Sequence, residues 1–122
     1  MLLDSFYSIK LSGSTEPNSI KTTLNINKDH PIFNGHFPGT PVVPGVCMMQ
    51  IMKELLEKEV HKSLQLSSAA NIKFLSVINP IENPEVLVEL KYAVGENDTY
   101  VADGSISFNN TACFKISKAI YK

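Results

Sequence analysis

Residues 33–46 read FNGHFPGTPVVPGV, and this stretch decides how the rest of the chain is interpreted. Proline fixes φ and removes a backbone donor, so the segment 30–45 cannot be a regular helix or a central strand. We therefore predict a long ordered loop, and loops of this length in compact domains are often functional. The residues that carry this argument are four prolines and three glycines: Pro31, Pro38, Pro41, Pro44, Gly35, Gly39 and Gly45.

The pattern becomes helical directly after this loop. Apolar residues recur at mixed three- and four-residue steps from position 46 to about position 62. Their arc is wide, which predicts a helix that is buried on more than one side. Pro44 and Gly45 suit the start of such a helix. The apolar positions are Val46, Met49, Ile51, Met52, Leu55, Leu56 and Val60.

Six other stretches are typical of β-strands because strand-forming residues alternate between apolar and polar. They are residues 6–11, 20–26, 71–78, 85–94, 99–108 and 111–120. Asn109-Asn110 is a residue pair that favours a hairpin turn between the last two. One buried helix against a mostly antiparallel sheet is an α+β arrangement.

Composition narrows the class of protein. A chain of 122 residues with a net charge of -1 predicts one domain and offers no basic face for nucleic acid. It has no apolar run of membrane-spanning length and no signal peptide at residues 1–4, which predicts a cytoplasmic protein. Cys47 and Cys113 are expected to be reduced thiols in the core. Three scattered histidines indicate no metal site.

The stretch 33–46 resembles the signature of the hotdog-fold 3-hydroxyacyl-[acyl-carrier-protein] dehydratases, the FabA/FabZ family. That signature is roughly F-x-G-H-F-P-x-x-P-V-x-P-G-V, followed by a long helix. The predicted order of elements also agrees with a hotdog along the whole chain. The resemblance implies one hotdog domain over residues 1–122, with an antiparallel sheet wrapped around one central helix.

The resemblance also implies the chemistry. The product would be a trans-2-enoyl thioester, made in the synthesis of fatty acids or of a related polyketide or polyene lipid. His36 would be the general base, since an imidazole titrates near neutrality. The backbone N–H of Gly45 would stabilise charge on the thioester oxygen from a helix N-terminus. No cofactor is implied.

Gln50 departs from the family pattern. In the family a Glu or Asp lies fourteen positions after the histidine, where this chain has Gln50. An amide can form a hydrogen bond to the leaving hydroxyl but cannot transfer a proton to it. FabZ-type enzymes often carry Gln one helical turn after that acid, where this chain has Glu54, so the two residue types look exchanged. Glu54 lies on the same helix face as Gln50 and is a candidate substitute acid. The preferred interpretation of Glu54, however, is a solvated or salt-bridged helix residue.

The implied substrate is a 3-hydroxyacyl chain on the phosphopantetheine arm of acyl carrier protein. The partner chain would be a second copy in a homodimer or higher oligomer, with each site drawing on both subunits, or an active paralogue in a heterodimer. Met48, Met49 and Met52 could line an acyl tunnel, although plain core packing is the preferred interpretation. The candidate substrate-binding residues are Phe37, Pro38, Val43, Pro44, Val46 and Met49.

Two other functions stay open on the sequence alone. Gln50 also fits a non-catalytic subunit that binds acyl chains or carrier protein and pairs with an active dehydratase. A hotdog thioesterase is the third reading, against which the intact His36-Phe37-Pro38 loop argues.

Overall fold

A computed structural model describes residues 2–14, 16–34 and 41–122. Within these residues the chain forms one α-helix, α1 (Gly45–Val60), and seven strands. Two short 3-10 turns cover Pro31–Asn34 and Glu96–Asp98. The strands are β1 (Tyr7–Gly13), β2 (Ser19–Ile26), β3 (Leu66–Ser68), β4 (Asn71–Phe74), β5 (Glu85–Val94), β6 (Tyr100–Phe108) and β7 (Thr111–Tyr121).

The strands form a single antiparallel sheet in the order β1-β2-β5-β6-β7-β3, and β4 also pairs with β7. The helix packs against this sheet, and the two share one apolar core. This confirms the predicted α+β class and the hotdog fold, in which an antiparallel sheet surrounds a long helix.

Side-chain alternation directs one face of each long strand to the helix. In β2, every second residue from Ile20 to Ile26 is buried, and β5 continues the layer with Val86, Val88 and Leu90. A period of two places such residues on one face of a pleated strand. The hairpin between β6 and β7 turns at the predicted Asn109-Asn110 pair, with φ values of 47° and 63°. Asparagine tolerates this left-handed conformation, which a type I′ turn requires.

The helix lies close to the sheet because one sheet position has no side chain. A Cβ atom at Gly104 of β6 would lie 2.8 Å from Sδ of Met52, so glycine permits this approach. Met52 and Leu56 are both 0% exposed, and buried residues lie on more than one side of α1, as the wide apolar arc predicts. Val46 is the exception, because its side chain is 74% exposed at the first turn.

Backbone hydrogen bonds explain two of the predicted boundaries that are wrong. The helix ends at Val60, two residues early, because His61 adopts a left-handed φ of 58° and its N–H bonds to the Glu57 carbonyl. Strand β4 stops at Phe74, since the next two N–H groups share the carbonyl of Cys113 and the regular ladder ends. Strand β3 was not predicted, and the turn at Pro31–Asn34 lies inside the predicted loop.

Both cysteines are free and buried, which confirms the prediction of core-packed thiols. Burial raises the pKa of each thiol. No helix in the described part of the chain is long and apolar enough to cross a membrane.

Two matched leucine truncations test how much of the stability depends on the contact between helix and sheet. We expect Leu56→Ala to cost about 2–5 kcal/mol in the free energy of unfolding, because Leu56 is fully buried. Leu11→Ala removes the same atoms from a side chain that is 70% exposed, and should cost no more than about 0.5 kcal/mol. Urea denaturation at one protein concentration measures both, and equal losses would contradict this description of the core.

Candidate active site

The sequence-predicted site residues divide into two groups. His36, Phe37 and Pro38 lie outside the described residues. Gly45, Gln50 and Glu54 all lie on α1, at its first residue and in the two following turns. The description of the site therefore starts from the helix.

The start of α1 is fixed by the end of the preceding loop. Pro44 is the N-cap, with φ -63° and ψ 147°, and its carbonyl accepts the N–H groups of Cys47 and Met48 at 3.0 and 3.2 Å. The N–H of Val43 bonds to the carbonyl of Ile78 at 2.9 Å, which ties the loop end to the segment after β4. The Gly45 N–H is one of those that a helix cannot satisfy internally, and no acceptor among the described residues bonds to it.

An aromatic ring lies against position 45, where glycine fits without displacing it. A Cβ atom there would lie 2.8 Å from Cε1 of Phe74, which in turn packs on Phe114 with ring centroids 5.3 Å apart. A largely apolar cleft of about 420 Å³ opens beside this contact. It is lined by Gly45, Val43, Met48 and residues 74–77. An apolar ligand suits such a cleft, and a helix N-terminus favours an electron-rich atom placed near it.

Glu54 is a buried acceptor for four groups. Its side chain is 5% exposed, and its carboxylate accepts the backbone N–H groups of Leu2 and Leu3 and the hydroxyl of Tyr7, at distances of 2.8 to 3.1 Å. The amide of Gln50 donates the fourth bond, from Nε2 to Oε2 at 2.7 Å. Glu54 is therefore neither solvated nor salt-bridged within the described residues, contrary to that interpretation of the sequence.

Tyr7 shows the electrostatic effect of this arrangement. Burial of the ring, and then the adjacent charge and hydrogen bond of Glu54, raise the pKa of Tyr7 far above its ordinary value. The phenol therefore stays protonated and continues to donate to the carboxylate. Tyr7 and the N–H groups of Leu2 and Leu3 were missed at the sequence level, although an acid within an apolar helix arc indicates that donors must come from elsewhere.

The other candidate residues differ in their surroundings. Val43 is buried and lines the cleft, and Met48 lines it too, although 4% exposed and part of the core. Pro44 and Met49 are half-buried and do not line it. Val46 is exposed. Gln50 is half-buried and does not line the cleft that Gly45 opens onto.

An exposed apolar surface lies beside the cleft. β4 pairs with β7 along one side, and no strand in the described part of the chain pairs with its other side. Large apolar side chains on β4 and just after it are 38% to 67% exposed. They are Ile72, Phe74, Leu75 and Val77, and we call this set, together with Val46, the β4 surface.

Solved structures of similar shape define the class of protein. The dehydratase heterocomplex ApeI:P from Xenorhabdus doucetiae matches with a TM-score of 0.67 at 16% identity, over 93% of this chain and 96% of that one. An uncharacterized protein from Erwinia carotovora subsp. atroseptica matches with a TM-score of 0.65 at 22% identity, over 93% and 91%. A mutant thioesterase from Pseudomonas aeruginosa gives 0.56 at 10% identity, over 92% and 80%. These likenesses establish a hotdog-fold protein.

Sequence comparison then identifies the family. The model of the ApeI-like family, described as ApeI dehydratase, matches residues 12–108, and the chain belongs to this family. The FabZ 3-hydroxyacyl-[acyl-carrier-protein] dehydratase of Rickettsia felis is 39% identical over 70 residues, which are 51% of this chain and 48% of that protein. The FabZ of Wolbachia pipientis wMel is 36% identical over 69 residues, with the same coverage. The matched region thus spans about half the length of these curated relatives.

A double-mutant cycle tests the contact between Gly45 and Phe74. We expect Gly45→Ala to cost about 1 kcal/mol of stability, because the new methyl group displaces the ring, which is half-exposed and able to move. In a Phe74→Ala background the same change should cost much less, since the atoms that it would clash with are gone. Thermal unfolding of the four proteins measures the coupling, and additive losses would show that the ring does not restrict position 45.

Proposed function

We propose that this chain dehydrates 3-hydroxyacyl groups on acyl carrier protein to trans-2-enoyl thioesters, as part of fatty-acid or related polyketide or polyene lipid synthesis. The observation that carries the proposal is the Gly45 N–H, which has no partner among the described residues and belongs to a helix N-terminus beside an apolar cleft. Such a donor is suited to the charge that develops on a thioester oxygen when the C2 proton is removed.

The residues divide the reaction between them. The imidazole of His36 takes the proton from C2, and the electron pair of that bond forms the C2–C3 double bond. The C3–O bond breaks, and the departing hydroxide takes a proton from the imidazolium and leaves as water. The proton that His36 removes is thus the one that water needs, so the reaction balances without a second acid. Membership of a dehydratase family supports this assignment.

The cleft supports the substrate class. Val43, Met48 and residues 74–77 give it a largely apolar lining, which fits an alkyl chain, and Gly45 is also among its lining residues. Among the candidate binding residues, Val43 is therefore proposed to contact the acyl chain of the substrate. Phe37 and Pro38 belong to the same sequence segment as His36. The FabZ relatives act on 3-hydroxyacyl-[acyl-carrier-protein], which supports carrier protein as the substrate's carrier.

We further propose that two copies form the working unit. The β4 surface joins an open strand edge to exposed apolar side chains, and a second copy can pair with both by a two-fold axis. Gly45 opens onto the cleft, whereas Gln50 of the same chain does not line it. A site that uses both groups would therefore take Gly45 from one copy and Gln50 from the other.

A non-catalytic subunit is the second candidate function. The observation that favours it is the hydrogen bond between Gln50 and Glu54, since position 50 has no acid and the nearby carboxylate is held by four donors. The ApeI:P structure is a dehydratase heterocomplex, which supports a heteromeric assembly as the form that this alternative would take. A thioesterase is a third possibility, which no feature of the described site favours.

Product analysis with a 3-hydroxyacyl carrier protein, or a small thioester mimic, tests the leading proposal. We expect enoyl absorbance to appear without release of free thiol, and His36→Ala to lower the rate by about 10²–10⁴ because the base is lost. His61→Asn is the matched control, since His61 is an exposed helix cap in a left-handed conformation that asparagine tolerates. Thiol release would indicate a thioesterase, and no reaction from the folded homo-oligomer would favour the non-catalytic subunit.

Placing the family's acid at position 50 distinguishes an active site that works with Gln50 from one that has lost its activity. We expect Gln50→Glu to lower stability by roughly 1–3 kcal/mol, because it replaces a donor to Glu54 with a second carboxylate at the same distance. The exchange variant Gln50→Glu/Glu54→Gln avoids the like charges. If the native site is active with Gln50, we expect neither Gln50→Glu nor the exchange variant to be more active than the native protein in the enoyl assay. A gain of about a hundredfold or more in the exchange variant would instead show that the native site has lost its acid.

A further inference from the structure

The Gln50 amide is oriented by the groups around Glu54. The N–H groups of Leu2 and Leu3 can only donate, so they hold the carboxylate as an acceptor, and the neighbouring Gln50 must present its NH₂ group to it. The oxygen of a planar amide lies on the opposite side of the carbonyl carbon from the nitrogen. Oε1 of Gln50 therefore points away from Glu54, and no donor among the described residues bonds to it.

The carboxylate has little freedom to release this amide. It is 5% exposed, and its bonds to Leu2, Leu3 and Tyr7 connect α1 to a segment more than forty residues away in sequence. Turning the carboxylate toward any other partner would leave buried donors without an acceptor, which is costly. The N-terminal segment therefore holds Glu54, and Glu54 in turn holds Gln50.

We propose that Glu54 is a positioning residue that fixes the Gln50 amide so that its carbonyl oxygen accepts a hydrogen bond from the 3-hydroxyl group of the substrate. This inference rests on the proposed dehydratase function and assigns to Gln50 the role of acceptor. A hydroxyl whose hydrogen points at Gln50 keeps its lone pairs free. One of them can then take the proton from the His36 imidazolium as the C3–O bond breaks.

The same geometry gives Glu54 a role other than that of an acid. A group that must remain an acceptor for four donors does not transfer a proton during each turnover. Its effect on the reaction passes through the orientation of Gln50 alone. Replacing Glu54 with glutamine should reverse the orientation of the Gln50 amide. The N–H groups of Leu2 and Leu3 would donate to the oxygen of the new amide at position 54. The NH₂ group at position 54 would then face Gln50 and donate to Oε1 of Gln50, which would turn toward position 54.

The orientation can be measured in the absence of substrate. In ¹⁵N-labelled protein, the Gln50 side-chain amide is the signal that disappears in Gln50→Met. We expect one of its protons to be shifted downfield by the charged acceptor at 2.7 Å. In Glu54→Gln this shift should disappear. Tyr7→Phe is the matched control, because it removes a donor from Oε1 of Glu54 without touching the bond to Gln50, and the shift should persist.

Kinetics then test whether the orientation serves the reaction. We expect Glu54→Gln to lower kcat by roughly three- to tenfold, the value of one ordinary hydrogen bond, with KM nearly unchanged because the reversed amide still bonds the hydroxyl. In a Gln50→Met background, Glu54→Gln should have no further effect on kcat. Leu56→Ala, which lowers stability without removing any hydrogen bond of Glu54 or Gln50, should leave kcat of the folded protein unchanged.

The NMR and kinetic results test the positioning role of Glu54 separately from the proposed dehydratase function. An unshifted Gln50 amide in the native protein, or one insensitive to Glu54→Gln, overturns the positioning role whether or not the protein is active. Independent effects of the two substitutions on kcat, or an equal loss in Leu56→Ala, would assign Glu54 a general role in stability and overturn it too. A shifted amide in a protein that does not turn over the substrate would instead refute the proposed function, and with it the role of Gln50 as acceptor for the hydroxyl.

Discussion

A carboxylate buried on α1 requires hydrogen-bond donors, and much of this structure follows from how Glu54 obtains them. An ionised group without partners in a protein interior costs several kcal/mol, so position 54 is compatible with the fold only when its partners are in place. Two of them come from the segment that leads into β1, the third is at the first residue of β1, and the fourth is on the helix itself. The first strand, the central helix and the side chain at the family's acid position are therefore interdependent.

A second constraint acts at the start of the same helix. The Gly45 N–H is available because α1 begins there, and α1 begins there because Pro44 cannot donate into a preceding turn. The Phe74 ring lies so close that only glycine fits without displacement. The contact between Gly45 and Phe74 thus places the Gly45 N–H group next to the apolar wall of the cleft. This contact joins the helix to the strand that has an open edge.

The elements that depend on local sequence could be predicted. The alternation in β2 and β5, the Asn109-Asn110 turn and the start of α1 at Gly45 all follow from patterns within a few residues. Two predictions fail because a group that is distant in sequence determines the local structure. Strand β4 ends early because of the Cys113 carbonyl on β7. The donors to Glu54 lie about fifty positions away, so no helical pattern could identify them.

The candidate site shows the same division between local and distant information. The spacing from the histidine identified Gln50 as the departure from the family pattern and Glu54 as its neighbour on the helix face. It could not indicate which atom of the amide faces the substrate, because that depends on Leu2 and Leu3.

Exchanging glutamine and glutamate between two positions of a helix keeps composition and net charge, yet it reverses which residue is the acceptor. In the usual arrangement an acid at position 50 could donate a proton to the leaving group. In this chain the charge lies one turn away and serves to orient a neutral group. An amide that only orients the hydroxyl requires the base to return the proton that it removed. If the chain is an active dehydratase, the exchange therefore moves the acid step from the helix to His36. The order of two residues on one helix face then determines whether the reaction uses two proton-transferring groups or one.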